Sequence, residues 1–236
     1  MRLAFISDIH ANLVALQTVL QDIDKEAVDQ IICLGDIIDC GPQPEDVIRL
    51  LQDRNIECIA GNHDPLNEHP NNPQLREIEV WTEKQLSQES KDFLANLPSR
   101  RTLQVEQSKV LCVHGSPHRV TDQVLEDTPR ETLESWTRNE NFDIMVCGHT
   151  HVQALRNLDN KTLVNVGSVG MPFVRPLGPP PPRRGPRLRP PPPPLDCWRG
   201  FLPPSHSPSL LLSRLIAIRV SHISIPPLTP RTLPAW

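Results

Sequence analysis

No stretch of this sequence approaches the roughly 18 consecutive apolar residues of a membrane-spanning helix. The nearest candidate, Leu210 to Val220, is short and carries Arg214 and Arg219. An N-terminal signal is not expected either, because Met1-Arg2 leads straight into a strand-like run. Cysteine is sparse, and its spacing matches neither a zinc finger nor a disulfide framework. Five of the six cysteines (Cys33, Cys40, Cys58, Cys112 and Cys147) precede residue 174, and four of these fall within or beside strand-like runs. They read as buried, reduced thiols. These absences argue against a membrane-spanning helix and a disulfide-stapled scaffold, and the expected location is the cytoplasm.

Lysine is absent from residues 174–236, which hold 18 of the 27 prolines, nine Arg and a single acid, Asp196. That tail carries +8, so the whole-chain charge of −4 leaves −12 on residues 1–173. The first part is an acidic domain, long enough to bury one core. Its charge excludes nucleic acid as a general partner, since phosphate backbones need a basic surface. The tail, with Pro179 to Pro182, Arg183-Arg184 and Pro190 to Pro194, has no periodic apolar residues and is expected to be disordered. Two readings of it stand. A frameshifted or misjoined 3′ end would explain why the pattern stops mid-domain and why Arg replaces Lys. A genuine linker, or a ligand for a proline-recognition domain, would explain the proline runs flanked by Arg.

What the first 173 residues do contain is a recurrence. The apolar runs Leu3 to Ile6, Ile31 to Leu34, Ile56 to Ala60, Val110 to Val113 and Ile144 to Cys147 are each followed by a short polar motif. In order these are Asp8-Ile9-His10, Gly35-Asp36, Gly61-Asn62-His63-Asp64, His114-Gly115 and Gly148-His149-Thr150-His151. In open α/β sheets, ligands gather at the carboxyl ends of strands. Carboxylate, imidazole and amide oxygen together suit divalent metals. The ligands are too many for one ion and imply two ions sharing a carboxylate. Such pairs, about 4 Å apart, are the usual device for hydrolysing phosphate esters. Alone, each motif is an ordinary turn; their common placement carries the signal.

The intervening segments predict an α/β fold. Leu13, Leu16, Leu20, Ile23 and Ala27 share one helical face. A second helix is expected to open with Pro44, with Glu45 and Asp46 complementing its dipole. Strand, helix, strand, helix, strand argues for a parallel sheet. Residues 65–98 break the rhythm with a polar loop (Pro65 to Pro73) and two helical segments containing Ile78, Trp81, Leu86, Phe93, Leu94 and Leu97. Trp81 reads as core packing there rather than as a base-stacking platform. A hairpin, Arg101 to Val105 and Lys109 to Val113, delivers His114, and Thr128-Pro129-Arg130-Glu131 predicts a capping box. Strands at 142–147 and 162–166 imply a second sheet.

The ordered motif set resembles the calcineurin-like metallophosphoesterases, and within them the small bacterial and archaeal phosphodiesterases and phosphatases. Ser7-Asp8-Ile9-His10-Ala11-Asn12-Leu13, Gly35-Asp36-Ile37-Ile38-Asp39-Cys40-Gly41-Pro42 and Asn165-Val166-Gly167-Ser168-Val169-Gly170 support it. The resemblance covers residues 1 to about 173. It implies a two-sheet α/β sandwich, with residues 65–98 as a helical cap beside the site, and with the closing C-terminal strands missing from this sequence.

The same resemblance implies that Asp8, His10 and His151 hold one metal, that Asn62, His114 and His149 hold a second, and that Asp36 bridges both. A hydroxide between the ions would attack phosphorus. His63 would stabilise the transition state or protonate the leaving oxygen, with Asp64 orienting its ring. Asn12 and Ser168 would support the metal shell. Asn12, His118 and Arg119 would meet the substrate, although a solvated loop fits His118 and Arg119 equally. Mn²⁺ is the first expectation for the metal; Fe, Zn, Co and Ni suit the same ligands. A homodimer fits the resembling branch. The expected function is a dinuclear phosphoesterase acting on phosphodiesters or phosphomonoesters, phosphoprotein included. One alternative is a non-catalytic scaffold like the eukaryotic retromer subunit of this fold, although such scaffolds tend to lose the histidine that stands here as His63. Another is an inactive fragment with unpaired sheet edges. His69 is expected to be exposed in a polar loop, and His206 and His222 lie in the tail.

Overall fold

The structure, a computed structural model, describes residues 1–66 and 73–173. The expectations for His69 and for the tail, with His206, His222 and the closing strands, lie outside the described residues.

Two sheets stack face to face. In the first, strands β1 (Leu3–Ile6), β2 (Gln30–Cys33) and β3 (Glu57–Cys58) are parallel and in that order, with Phe5 opposite Ile32 and Cys33 opposite Cys58. Helices α1 (Leu13–Asp24) and α2 (Pro44–Asp53) make the crossovers. The second sheet runs in the order β4 (Arg100–Val105), β5 (Ser108–Val113), β6 (Ile144–Cys147), β8 (Thr162–Asn165), β7 (Ala154–Asn157). β4–β5 and β7–β8 are antiparallel hairpins; β5, β6 and β8 are parallel.

β1 and β6 are buried throughout and β2, β5 and β8 over their C-terminal parts, on both faces, which is why those runs are continuously apolar rather than alternating, whereas β4 and β7 at the edges of the second sheet expose side chains. Leu3, Phe5, Ile32, Leu34 and Ile59 meet Val105, Val110, Cys112, Ile144, Val146 and Val164 between the sheets. On the outer face of the first sheet, Ala4, Ile6 and Cys33 pack under Leu16, Leu20 and Ile23 of α1 and Val47, Ile48 and Leu51 of α2. The outer face of the second sheet (Leu111, Val113, Met145, Cys147, Leu163) is covered by Leu133 and Trp136 of α5 (Arg130–Thr137). The α/β sandwich read from the sequence is present, and Cys33, Cys58, Cys112 and Cys147 are buried free thiols.

Several local readings need correction. α1 ends at Asp24, so Ala27 lies beyond it in a left-handed turn at φ 50°. β7 was not predicted; it pairs along the whole of β8. The capping box at Thr128 does not form. The Thr128 hydroxyl donates to the Gln123 carbonyl and accepts from Leu125 N–H, and Pro129 caps α5 with no side-chain bond. The insertion folds as α3 (Pro73–Gln85) and α4 (Gln88–Ala95), both against α2. Trp81 is 44% exposed, because α3 turns Thr82 inward with Ile78 half-buried beside it. It is not core packing.

Candidate metal centre

The carboxyl ends of the strands converge because their loops are stitched by backbone hydrogen bonds. Asp8 N–H donates to Gly35 O, His10 N–H to Asp36 O, Gly148 N–H to His114 O, and Gly170 N–H to Asp8 O, all at 2.8–3.0 Å. Five of the seven expected ligands, Asp8, His10, Asp36, His149 and His151, sit in left-handed backbone with φ between 49° and 68°. That conformation costs a residue with a side chain about 1–2 kcal/mol. Its concentration here, on loops locked by the stitching bonds, means the fold enforces the side-chain directions. Gly148 belongs to the same design, since a Cβ there would strike Ser7 Oγ and the Asp8 carboxylate.

The two carboxylates are each pinned by one oxygen. Asp8 Oδ2 accepts from His149 N–H at 3.0 Å, and Asp36 Oδ1 accepts from His63 N–H at 2.9 Å. Their other oxygens face imidazoles. Asp8 Oδ1 is 3.2 Å from His151 Nε2 and 4.0 Å from His114 Nε2. Asp36 Oδ2 is 3.2 Å from His114 Nε2 and 3.8 Å from His10 Nε2. Ligand atoms of Asp8, His10, Asp36 and His151 lie within 4.8 Å of one another, as do those of Asp36, His114 and His149. Asp36 belongs to both groups.

These residues fit divalent cations. His114 Nδ1 lies 2.7 Å from the Leu34 carbonyl and His151 Nδ1 2.9 Å from that of Met171. A proton on each Nδ1 leaves the Nε2 lone pair directed inward, the usual arrangement for a metal-binding histidine. His10 Nε2 and His151 Nε2 stand 3.0 Å apart, close for two lone pairs unless a proton or a cation lies between them. Asp8 Oδ1, His10 Nδ1, Asn62 Oδ1, His114 Nε2 and His149 Nδ1 are buried without a hydrogen-bond partner. Orphaned atoms at this density are costly in a protein interior unless a ligand engages them.

Burial and the facing charges perturb the titration of these groups. Burial opposes the imidazolium of His114, but Asp36 and Asp8 outweigh it and push its pKa up to about 9. Burial likewise opposes ionisation of Asp36, yet His114, His63 and His10 hold it well below the usual carboxylate range. His10 is lowered chiefly by burial, and His149 by burial and then by His114.

His63 lies edge-on to His10, with ring centroids 5.1 Å apart. Its Nδ1 is 3.2 Å from Asp39 Oδ2. Burial lowers its pKa, but the bond to Asp39 and the charges of Asp36, Asp39 and Asp64 raise it overall. Asp39 therefore orients the ring, and the role expected for Asp64 is corrected. Asp64 instead accepts from Gly61 N–H at 2.7 Å, Asp36 N–H at 2.9 Å and Ile37 N–H at 2.8 Å. It ties the loop after β2 to the loop after β3. Burial and the nearby Asp36 push its pKa to about 6. Asp39 was missed by sequence reasoning; its only signal was its place three residues after Asp36 in Gly35-Asp36-Ile37-Ile38-Asp39.

Asn12 has both polar ends engaged in the fold. Its Oδ1 caps α1 through Ala15 N–H, and its Nδ2 donates to Gly170 O, each at 3.1 Å. Ser168 braces the Asp8 loop, with Oγ donating to Asp8 O at 2.7 Å and accepting from Met171 N–H at 2.8 Å. His118 and Arg119 are exposed on the loop after His114, with backbone N–H groups held by Ser116 Oγ. Neither belongs to the ligand groups.

Comparison with known proteins agrees with this geometry. The family model described as a calcineurin-like phosphoesterase superfamily domain matches residues 1–178. An uncharacterised protein of Methanocaldococcus jannaschii is 31% identical over 193 residues, covering 72% of this chain and 76% of its own length. The crystal structure of a metallophosphoesterase from Sphaerobacter thermophilus is 32% identical with a TM-score of 0.58, over 73% of this chain and 78% of that one. A hypothetical protein from Pyrococcus horikoshii shares the fold at 22% identity, with a TM-score of 0.66 over 74% and 79% of the two chains.

Proposed function

The chain belongs to the calcineurin-like phosphoesterase superfamily, and from that premise we propose that it hydrolyses phosphodiesters or phosphomonoesters at a pair of divalent cations. The observation that carries the reading is the membership of Asp36 in both ligand groups. Asp8, His10 and His151 would complete one shell, and Asn62, His114 and His149 the other. Asn62 brings a neutral oxygen, which limits negative charge where an anionic substrate must bind. Mn²⁺ is the first candidate, because carboxylate, amide and imidazole together suit it; Fe, Zn, Co and Ni fit the same donors.

The ions, when bound, lower the pKa of water to supply a nucleophile and draw charge from the phosphoryl oxygens. The chain's own part is orientation and proton transfer. Backbone N–H groups of His149 and His63 hold Asp8 and Asp36 in place, so the ligands need little rearrangement. His63 is half-buried with its pKa raised by the bond to Asp39 and the charges of Asp36, Asp39 and Asp64 against burial, which favours its protonated form, and it is positioned to deliver a proton to the leaving oxygen. Asp39 fixes the tautomer, with the proton on Nδ1 held by its carboxylate and Nε2 carrying the transferable one. The free thiols of the core fit a reducing compartment such as the cytoplasm.

The test is hydrolysis of bis-p-nitrophenyl phosphate and p-nitrophenyl phosphate by purified protein loaded with Mn²⁺, beside a His63→Ala control. Both esters should turn over; in the control the loss should be small for p-nitrophenolate release and roughly a hundredfold or more for an ester that releases an alkoxide. Folded, metal-loaded protein that cleaves neither ester would overturn the reading.

A further inference from the structure

One further carboxylate reaches this neighbourhood from outside the strand ends. Glu79 stands on α3, and a ligand atom of its side chain lies within 4.8 Å of those of Asp39 and His63, which likewise lie within that distance of each other. The three belong to separate elements: the loop after β2, the loop after β3, and the insertion helix. Asp39 is 2% exposed, whereas His63 and Glu79 are half-buried. Asp39 Oδ2 faces His63, but its other oxygen, Oδ1, is buried with no hydrogen-bond donor. A buried carboxylate oxygen lacking a donor is costly, and a cation would satisfy it.

We propose that Asp39, His63 and Glu79 form a third divalent-cation site, distinct from the two-ion centre, and that its occupancy inhibits hydrolysis. One imidazole and two carboxylates suit Zn²⁺, whose nitrogen and oxygen ligands sit about 2.0–2.2 Å from the ion and so about 3.4 Å apart in a tetrahedron. The present spread requires a contraction of at most about 1.4 Å, within the swing of a glutamate side chain. The site is weaker than the first two, since only three protein ligands contribute and two of them are partly open to solvent. Occupancy removes the bond that orients the donor. A cation on His63 Nδ1 takes the place of the proton that Asp39 holds there and draws that carboxylate to the metal, so the ring is no longer aimed for delivery from Nε2. Hydrolysis then rises with metal until the first two sites fill and falls as the third does. This consequence rests on the reading of His63 as the proton donor.

The test uses the full chain and Glu79→Gln, which keeps the shape of the side chain and removes its charge. Zn²⁺ is added at increasing free concentration, bound ions per chain are counted by equilibrium dialysis with elemental analysis, and ester hydrolysis is followed in the same samples. The expected result is three ions per wild-type chain, two in the variant over the same range, and a rise of at least tenfold in the Zn²⁺ concentration that halves activity. Wild-type protein that saturates at two ions, or a variant that retains the third, overturns the site. A third ion lost in the variant with unchanged inhibition overturns the inhibitory role. Because ion counting needs no turnover, an inactive wild type that loses its third ion in the variant would refute the proposed hydrolysis and leave the site standing.

Discussion

Replacing Asp39 by Asn leaves the size of the side chain nearly unchanged and removes the charge facing His63 Nδ1 at 3.2 Å. A hydrogen bond to a charged group contributes about 1.5–3 kcal/mol. If that stabilisation is felt where His63 delivers its proton, the loss is roughly 10- to 150-fold in rate, at 1.36 kcal/mol per decade. The effect must depend on the leaving group. An ester releasing p-nitrophenolate needs little protonation and should slow only slightly, whereas one releasing an alkoxide should show the full loss. The pH profile carries a second signature. His63 acts protonated, so activity falls as pH rises through its pKa, which the Asp39 bond and the charges of Asp36, Asp39 and Asp64 raise against burial. With bound cations offsetting Asp36, Asp39 remains the main support for the proton. The descending limb of Asp39→Asn should therefore move to lower pH. The assay is kcat against pH for one aryl and one alkyl ester, on metal-loaded wild type and variant. Equal slowing of both esters with an unmoved limb would refute the positioning role and reduce Asp39 to a structural residue.

Other consequences follow from the same geometry. Asp36→Asn should lose both ions together, with bound metal falling from two per chain toward none and hydrolysis dropping by more than about a hundredfold; retention of one ion at full affinity would contradict the bridge. Asp64→Ala strips the acceptor from four buried backbone N–H groups, at Gly61, Asp36, Ile37 and Ile38. It should destabilise the fold by about 3 kcal/mol in chemical denaturation, while Asp64→Asn should cost less. Metal-free protein should lose stability as pH rises from 6.5 to 9. The folded pKa of His114, about 9, lies above its unfolded value of 6.5, so its contribution is complete below 6.5 and gone above 9, at most about 3 kcal/mol. Thermal melts in EDTA and in Mn²⁺ should diverge across that window, because ligand deprotonation favours the metal.

The strand ends were legible because each motif follows a run too apolar to lie anywhere but in a doubly covered sheet, and because ligand residue types are few. Asp8, His10, Asp36, His114, His149 and His151 are thus marked out by residue type and position alone. The partner of His63 was not legible. Asp64 is its chain neighbour, but the direction of each carboxylate is set by left-handed backbone at Asp36 and Asp39, and nothing local in those residue types signals it. Glu79 was hidden for a related reason, since its proximity depends on how α3 is rotated against the body. That rotation also exposes Trp81, which apolarity alone had assigned to the core. β7 escaped notice because Ala154, Leu155, Arg156 and Asn157 are poor strand formers, and they are held by pairing with β8 rather than by their own propensity.

The central claim is that two cations share the carboxylate of Asp36. Electron paramagnetic resonance of the chain loaded with two equivalents of Mn²⁺ addresses it directly. Ions bridged at about 4 Å should give an exchange-coupled spectrum that Asp36→Asn abolishes. A spectrum of isolated Mn²⁺ ions, unchanged by the substitution, would contradict the account.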